Sequence, residues 1–271
     1  MISVLILTKN EKFNIRACIE SVSWCDDIHV YDTFSEDGTA EIAAEMGANV
    51  HQREFPNWSE AQNWARENLP YKHPWVFYLD ADERCTPKLE LEMKAAILAA
   101  DKGTIAFEIP RDDYWGQSRL AHVQASHYYV RLYRPDKIHF ERLVNPETKV
   151  NGKATRLSES IVHYPFSKGI DQWFDRHNSY SSLEARQVLS AMSHEQPGSE
   201  VPNDYRNSRA TMKRVFERLP FRPTVRFLYL YVWKRGFLDG RAGWRYARLQ
   251  MIYQMMIDLK IATIKMDQTD K

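Results

Sequence analysis

Two aspartates one residue apart, Asp80 and Asp82, follow the most strand-like pentapeptide in the chain, Trp75-Val76-Phe77-Tyr78-Leu79. In extended backbone residues i and i+2 face the same way, so the two carboxylates can meet in one small volume. Paired hard oxygen ligands suit Mg²⁺ or Mn²⁺, which complete their octahedra with water and substrate phosphates rather than a full protein cage. A nucleotide diphosphate meets that need. The competing reading of Asp80-Ala81-Asp82-Glu83 is a solvated acidic turn ahead of a helix at Pro87. Two further polar groups follow apolar strands: Thr8-Lys9-Asn10-Glu11 after Ile2 to Leu7, and Asp32 after Ile28, Val30 and Tyr31. Ligands of open α/β sheets bind outside the carboxyl ends of the strands, so these three ends are the first place to look.

Holding those ends side by side requires helices between the strands. A helix from about Phe13 carries Ile15, Cys18, Ile19 and Val22 at helical spacing. Ser35-Glu36-Asp37-Gly38-Thr39 offers turn and N-cap chemistry before a helix ending near Met46-Gly47; Asn49 to His51 is a short strand, and Ser59 is placed to cap a helix running to Asn68. The alternation predicts an α/β fold with a mostly parallel central sheet flanked by helices. From Ile105 to Tyr164 short β-like runs (Ile105 to Ile109, Tyr128 to Tyr133, Ile161 to Tyr164) separate loops rich in Arg, His, Asn and Pro. Beyond Gly169 the pattern is helical: Ile170 to Met192, a helix around Tyr205 to Leu219, and a long stretch from Pro223 to Ile264 broken near Gly236 and Gly240. Met192 to Asn203, with Pro197, Gly198 and Pro202, is the linker candidate, which divides the chain into a catalytic domain over 1–190 and a helical C-terminal region over 191–271.

Composition narrows the partners. The 37 basic and 36 acidic residues nearly cancel, so no global field draws the chain to nucleic acid, and none is expected as a partner. Three cysteines without a C-x-x-C pair fit a reducing compartment, and Ile2 to Leu7, with no basic lead, reads as a first strand rather than a signal peptide; a cytoplasmic protein is expected. In the tail, Arg222, Arg226, Lys234, Arg235, Arg241, Arg245 and Arg248 face the single acid Asp239, with Phe227, Tyr229, Tyr231, Trp233, Phe237, Trp244 and Tyr246 interleaved. Its longest apolar run, Phe227 to Trp233, is far below the roughly 20 residues that span a bilayer. The mixture suits an interfacial anchor on an anionic membrane surface; the alternative is an amphipathic helical pair packed on its own catalytic domain or on a second subunit, giving a homo-oligomer.

Taken in order, these segments resemble the family 2 glycosyltransferases of the GT-A fold, in particular the group that builds lipopolysaccharide core and related bacterial surface polysaccharides. Ile6-Leu7-Thr8-Lys9-Asn10-Glu11 looks like the opening strand and nucleotide loop, Val30-Tyr31-Asp32 through Ser35-Glu36-Asp37-Gly38-Thr39 like the strand-D-x-x-S-x-D-G-T segment, and Phe77 to Glu83 like the D-x-D element. The resemblance is close over about the first hundred residues and looser through Tyr129 to Tyr133, His163-Tyr164 and Gly236 to Gly240. It implies an inverting, metal-dependent transfer of a sugar from a nucleotide-diphosphate sugar donor to a glycan or lipid-linked acceptor, on the cytoplasmic face of the inner membrane.

By the same resemblance Thr8, Asn10, Glu11 and Asp32 line the nucleoside pocket, although Asp32 and Asp37 could instead satisfy backbone N–H groups at turns. Asp80 then faces ribose or metal, Asp82 coordinates the cation, and Gln62 and Asn63 lie near the donor or on a solvated helix face. His163 is a third metal or diphosphate contact, or a buried structural histidine. Arg131 and Arg134 bracket Leu132-Tyr133 and can hold diphosphate or acceptor oxygens bidentately, against the alternative of surface arginines. A base is also needed to take the acceptor's proton. Here the chain departs from the family: many relatives place a His-Glu pair after a Val, whereas Leu143-Val144-Asn145-Pro146-Glu147 lacks the His and displaces the Glu by one residue. Glu147 is the first candidate, Glu141 the second, and Asp112 or Asp113 a third. The alternatives in other classes are a nucleotidyltransferase, which would show a Gly-rich basic loop after strand one, and a non-catalytic membrane-associated module, which would need no acidic metal site. A haloacid dehalogenase-type phosphotransferase would carry its D-x-D on the opening strand, unlike this chain.

Overall fold

The computed structural model of the protein describes residues 1–55, 57–124, 127–141, 147–193 and 221–269. Its strands are β1 (Ile2–Thr8), β2 (Ile28–Asp32), β3 (Asn49–Gln52), β4 (Trp75–Asp80), β5 (Glu83–Arg84), β6 (Thr104–Trp115), β7 (Ser118–Arg119), β8 (Tyr128–Tyr133), β9 (Ile138–Glu141), β10 (Glu147–Val150), β11 (Lys153–Arg156) and β12 (Ile161–His163). The helices are α1 (Ile15–Glu20), α2 (Thr39–Glu45), α3 (Trp58–Asn68), α4 (Pro87–Ala99), α5 (Gly169–Ser193), α6 (Arg222–Leu228) and α7 (Gly240–Thr269). Residues 1–117 and 126–167 form one compact unit, and 118–125 with 168–271 a second. The expected helix over Tyr205 to Leu219, and most of the Met192 to Asn203 linker, lie outside the described residues.

The first unit is a sheet in the order β3-β2-β1-β4-β8-β6-β12-β5, with β11 also on β6. β1 pairs in parallel with β2 and β4, β2 with β3, and β6 with β11 and β12; β8 runs antiparallel to β4 and β6, and β5 to β12. This is the mostly parallel, helix-flanked GT-A arrangement expected. On one face Val4, Ile6, Phe77 and Leu79 pack against Ile15, Cys18, Leu89 and Met93; on the other Leu5, Leu7, Val76 and Tyr78 pack against Ala61, Ala65 and Phe140. Burial on both faces is why β1 and β4 read as unbroken apolar runs.

Two local features differ from expectation. Asn57, not Ser59, caps α3, accepting the Glu60 N–H at 3.0 Å, while the Ser59 hydroxyl donates to the Glu141 carbonyl at 3.0 Å. The sequence offers both cap types within three residues, and the tertiary partner decides between them. β6 runs to Trp115 rather than ending at Ile109, because β8 and β12 pair with its two edges in succession.

The second unit is helical. α5 packs on α7 through Ala185, Val188, Ile257 and Ile261, and Lys260 donates to the Ser181 and Ser182 hydroxyls at 2.8 and 2.7 Å. α6 continues through a π-helical turn (Tyr229–Trp233) and a 3₁₀ turn (Gly236–Asp239) before α7 starts at Gly240, the break that the two glycines predict. The crossing there is tight: a Cβ on Gly243 would lie 2.0 Å from the Gly236 carbonyl oxygen. Asp239 accepts the Val123 N–H at 2.8 Å and pairs with His122 at 2.7 Å. Among the described residues no helix is long and apolar enough to cross a membrane.

Candidate active site

The register of the parallel strands sets Thr8 opposite Asp32 and Leu7 opposite Asp80, so the three polar strand ends do lie side by side. The loops after β1 and β2 are laced together. Asn10, in the left-handed region at φ 54°, donates its N–H to Ser35 Oγ at 2.7 Å, and its Oδ1 accepts the Glu36 N–H at 2.9 Å. Thr39 Oγ1 accepts the Glu11 N–H at 2.8 Å, and the Asp37 carboxylate accepts the N–H groups of Lys12 and Thr39. Asp32 is fully buried; its carboxylate accepts the Ser35 N–H at 2.8 Å, the Ser35 hydroxyl, and the Gln52 amide at 3.0 Å. Thr8 is buried, and among the described residues its Oγ1 has no hydrogen-bond partner.

At the end of β4 the extended backbone stops at Asp80, and Ala81 and Asp82 form a turn. Glu83 makes that turn: its Oε2 accepts the Asp80 N–H at 3.0 Å, and Arg84 donates to the carbonyls of Ala81 and Glu83. The two aspartates are joined by a chain of alternating charges. Asp82 Oδ2 lies 3.3 Å from His163 Nε2, and His163 Nδ1 lies 2.6 Å from Asp113 Oδ1. Asp113 Oδ1 is 3.2 Å from Arg111 Nε, and Arg111 Nη1 is 3.6 Å from Glu83 Oε1. Arg131 Nη2 closes the circuit, donating to Glu83 Oε1 at 2.8 Å and Asp80 Oδ2 at 2.9 Å. The Tyr78 hydroxyl donates to the other Asp80 oxygen.

The charges follow from this chain. Burial opposes charge on His163, but Asp82 and Asp113 outweigh it and push its pKa up to about 9, so the imidazole is a cation at neutral pH. Burial works against the Asp80 carboxylate as well, and Arg131 with Tyr78 still holds its pKa below the usual range. For Glu83, with no exposed surface, burial wins and raises the pKa. One guanidinium shared by two carboxylates thus keeps Asp80 charged at the expense of Glu83.

A cavity of about 450 Å³ opens beside Asp80. Gln62 of α3, Arg111 of β6, Tyr128, Tyr129 and Arg131 of β8, and the facing pair Phe140 and Thr148 line it.

Residues 3–154 match the glycosyl transferase family 2. The chain is a family 2 glycosyltransferase. Among characterised relatives it is 26% identical to the lipopolysaccharide core biosynthesis glycosyltransferase LpsC of Rhizobium meliloti, over 93% of this chain and 92% of that one. An uncharacterised glycosyltransferase of Rickettsia typhi is 26% identical over 69% of this chain and 68% of its own. Of solved structures, residues 1–349 of S. aureus TarS align over 91% of this transferase and 90% of that chain with 14% identity and a TM-score of 0.44. The glucosyl-3-phosphoglycerate synthase of Mycobacterium tuberculosis, crystallised with Mn²⁺ and UDP, aligns over 43% of this chain and 44% of its own, at 23% identity and a TM-score of 0.35.

Of the residues singled out in the transferase, Asp80, Asp82, His163 and Arg131 share the charge chain, and Gln62 shares the cavity with Asp80 and Arg131. Asn63 instead brackets the Phe140 backbone, donating to its carbonyl at 2.8 Å and accepting its N–H at 2.9 Å. Arg134 is not brought to the cluster; its guanidinium stacks 5.0 Å from Trp75, at the opposite end of β4 from Asp80. Glu141 is half-exposed and 3.9 Å from Lys149. Glu147 lies opposite Glu141 in register, one step beyond the Phe140–Thr148 pair; its side chain and residues 142–146 are outside the described residues. Arg111, which no sequence motif marked, and Glu83, read only as part of the D-x-D element, join the same circuit. The i, i+2 spacing of Arg111 and Asp113 within a strand was the available signal, the same one that marked Asp80 and Asp82.

The donor set suits a hard divalent cation held by few protein groups. Both Asp80 oxygens are taken, whereas Asp82 is partly exposed and keeps one oxygen free of hydrogen bonds among the described residues. No three His, Cys, Asp or Glu side chains among the described residues converge as a preformed cage. A cation at Asp82 would be completed by phosphate oxygens and water.

Proposed function

We propose that this transferase moves a sugar, with inversion, from a nucleotide-diphosphate sugar to a glycan or lipid-linked acceptor in bacterial surface polysaccharide assembly. The observation that carries the reading is the ion-paired Asp80–Asp82 turn at a strand end, next to an open cavity, inside a family 2 domain. The lipopolysaccharide core assignment of the Rhizobium meliloti relative supports the acceptor class. The nucleoside sits against the laced loops of Thr8, Asn10 and Glu11, where the buried Thr8 hydroxyl has unspent hydrogen-bonding capacity; Asp32 acts by fixing the Ser35 turn. Asp82 would hold Mg²⁺ or Mn²⁺, which supplies Lewis-acid stabilisation of the leaving diphosphate when bound. The acceptor hydroxyl attacks the anomeric carbon as the bond to the diphosphate breaks, and its proton passes to a carboxylate, for which Glu147 is the first choice and Glu141 the second. The aromatic and basic surface of the second unit supports peripheral attachment to an anionic membrane.

The test is nucleotide release from a panel of nucleotide-sugars with Mn²⁺, with Mg²⁺ and with chelator. Wild type is expected to turn over at least one donor only with metal. Asp82→Asn should lose about a hundredfold or more, since charge stabilisation by the ion is worth several kcal/mol. Metal-independent turnover, or an active Asp82→Asn, refutes the metal role.

A further inference from the structure

Helix α4 is apolar on two sides. Leu89 and Met93 point into the core of the first unit, on the sheet face opposite α3. Leu91 and Leu98 point away from it and are 67% and 73% exposed. They lie two helical turns apart, roughly 10 Å along one side of α4, with exposed Ala95 between them. Beside this row a groove of about 450 Å³ opens between α4 and the strands β6 and β11, floored by Phe107 and Leu157 and walled by Ala96, Ala99 and Ala100. The outer face of a surface helix normally carries charge; two outward leucines next to an apolar hollow are the mark of a contact surface.

The charges on the rim narrow what can cover it. Lys153 holds Asp101 at 2.9 Å, Arg156 holds Glu108 at 2.8 Å, and the Glu92 carboxylate accepts the N–H groups of Ser158 and Glu159. Acid and base are matched within the groove wall, so the surface selects neither an acidic nor a basic partner. It is instead complementary to itself. Knobs and hollow sit on the same helix, so a two-fold axis close to Ala95, with α4 antiparallel to its copy, sets Leu91 against the second copy's Leu98 and turns each leucine toward the facing hollow. Lys88 and Asp101 lie three residues outside Leu91 and Leu98 respectively. The same operation therefore brings exposed Lys88 of each copy beside the other's Asp101, opposite charges at both ends of an apolar centre.

We propose that this face of α4 is an isologous dimer interface whose occupant is a second copy of this chain. Its groove reaches Thr104, at the other end of β6 from Arg111 and Asp113, so the dimer leaves the charge chain at Asp80 and Asp82 open. The interface does not depend on the transfer reading.

Sedimentation equilibrium of the full chain at tens of micromolar tests it. Wild type is expected to be a reversible dimer, and Leu98→Glu to weaken it by about tenfold or more, because a charge then enters the apolar centre. Lys88→Glu, which sets like charges together, should weaken it severalfold. Leu98 has few contacts of its own to lose, and an unchanged melting temperature would show that the variant folds. Leu259→Glu, at a residue of α7 that is likewise 67% exposed, should leave the dimer intact. Under oxidation a mixture of Leu91→Cys and Leu98→Cys chains should cross-link more than either chain alone. A wild type that stays monomeric overturns the interface and leaves the groove to a different protein. A dimer that survives Leu98→Glu, or one that only Leu259→Glu disrupts, overturns it in favour of the second unit. Cross-linking of each single-cysteine chain with itself, and not of the mixture, overturns the antiparallel pairing on which the interface is built.

Discussion

His163 shows how far a single residue can be taken from sequence. Its types of neighbour were foreseeable only in part: a histidine after a short apolar run is compatible with a metal contact and with a buried structural role, and spacing cannot choose. In the structure it lies buried between Asp82 and Asp113, whose carboxylates favour its protonated form. A histidine raised from about 6.5 in the unfolded chain to about 9 in the fold stabilises fully below pH 6.5 and loses that contribution as pH rises through 9. That difference corresponds to roughly 3 kcal/mol. Urea unfolding with chelator present should therefore show wild type falling toward His163→Gln between pH 6.5 and 9, with the gap widest at or below 6.5. A constant gap would mean the imidazole is not charged in the fold. The pairing of Asp82 with a cation also explains why the D-x-D spacing was legible while its partners were not: i, i+2 alternation is local, whereas Asp113 and His163 arrive from strands 31 and 81 residues further on.

At the scale of elements, the βαβ succession through β4 was readable because both sheet faces are buried and the helices alternate with strands. In the region from β8 to β12 the runs of β8 and β12 were readable, but the pairing was not. Its strands are three to six residues long; β8, β11 and β12 take their places from pairing with β6, and β9 and β10 pair with each other, which no local pattern encodes. The role of Asn63 illustrates the difference. Expected near the donor or facing solvent, it clamps the Phe140 backbone by two hydrogen bonds and so fixes one wall of the cavity to α3. Asn63→Ala leaves a buried N–H and C=O unpaired, each costing about 1–3 kcal/mol if water does not replace the amide. The expected outcome is a fall in melting temperature of several degrees with nucleoside-diphosphate affinity unchanged. An unshifted melting temperature with weakened nucleotide binding would return Asn63 to the donor site.

For the molecule as a whole, the near-balanced charge hides an uneven distribution. The C-terminal aromatics were foreseen as one set, and packing divides them. Phe227 and Tyr231 stack on each other and Trp244 meets both edge-on, with ring centroids 5.1 to 5.4 Å apart. Leu228, Val232, Trp233 and Leu238 do not join them and stay 50% to 80% exposed. Arg222 is likewise withdrawn, buried against Asp258, while Arg235, Arg241, Arg245 and Arg248 are exposed. Exposed apolar side chains with several arginines are what an anionic interface recruits; at about 1 kcal/mol for each basic residue near the surface, four give about 4 kcal/mol, roughly a thousandfold preference over neutral lipid. Flotation with vesicles of anionic and of neutral composition should show that preference, and raising salt should erase most of it. Arg241→Ala with Arg245→Ala should cut the anionic preference by about tenfold or more, whereas Trp233→Ala should weaken binding to both compositions. Equal recovery on neutral and anionic vesicles, or indifference to all three substitutions, would leave the exposed surface to a second copy of the chain, which sedimentation would then register as a dimer.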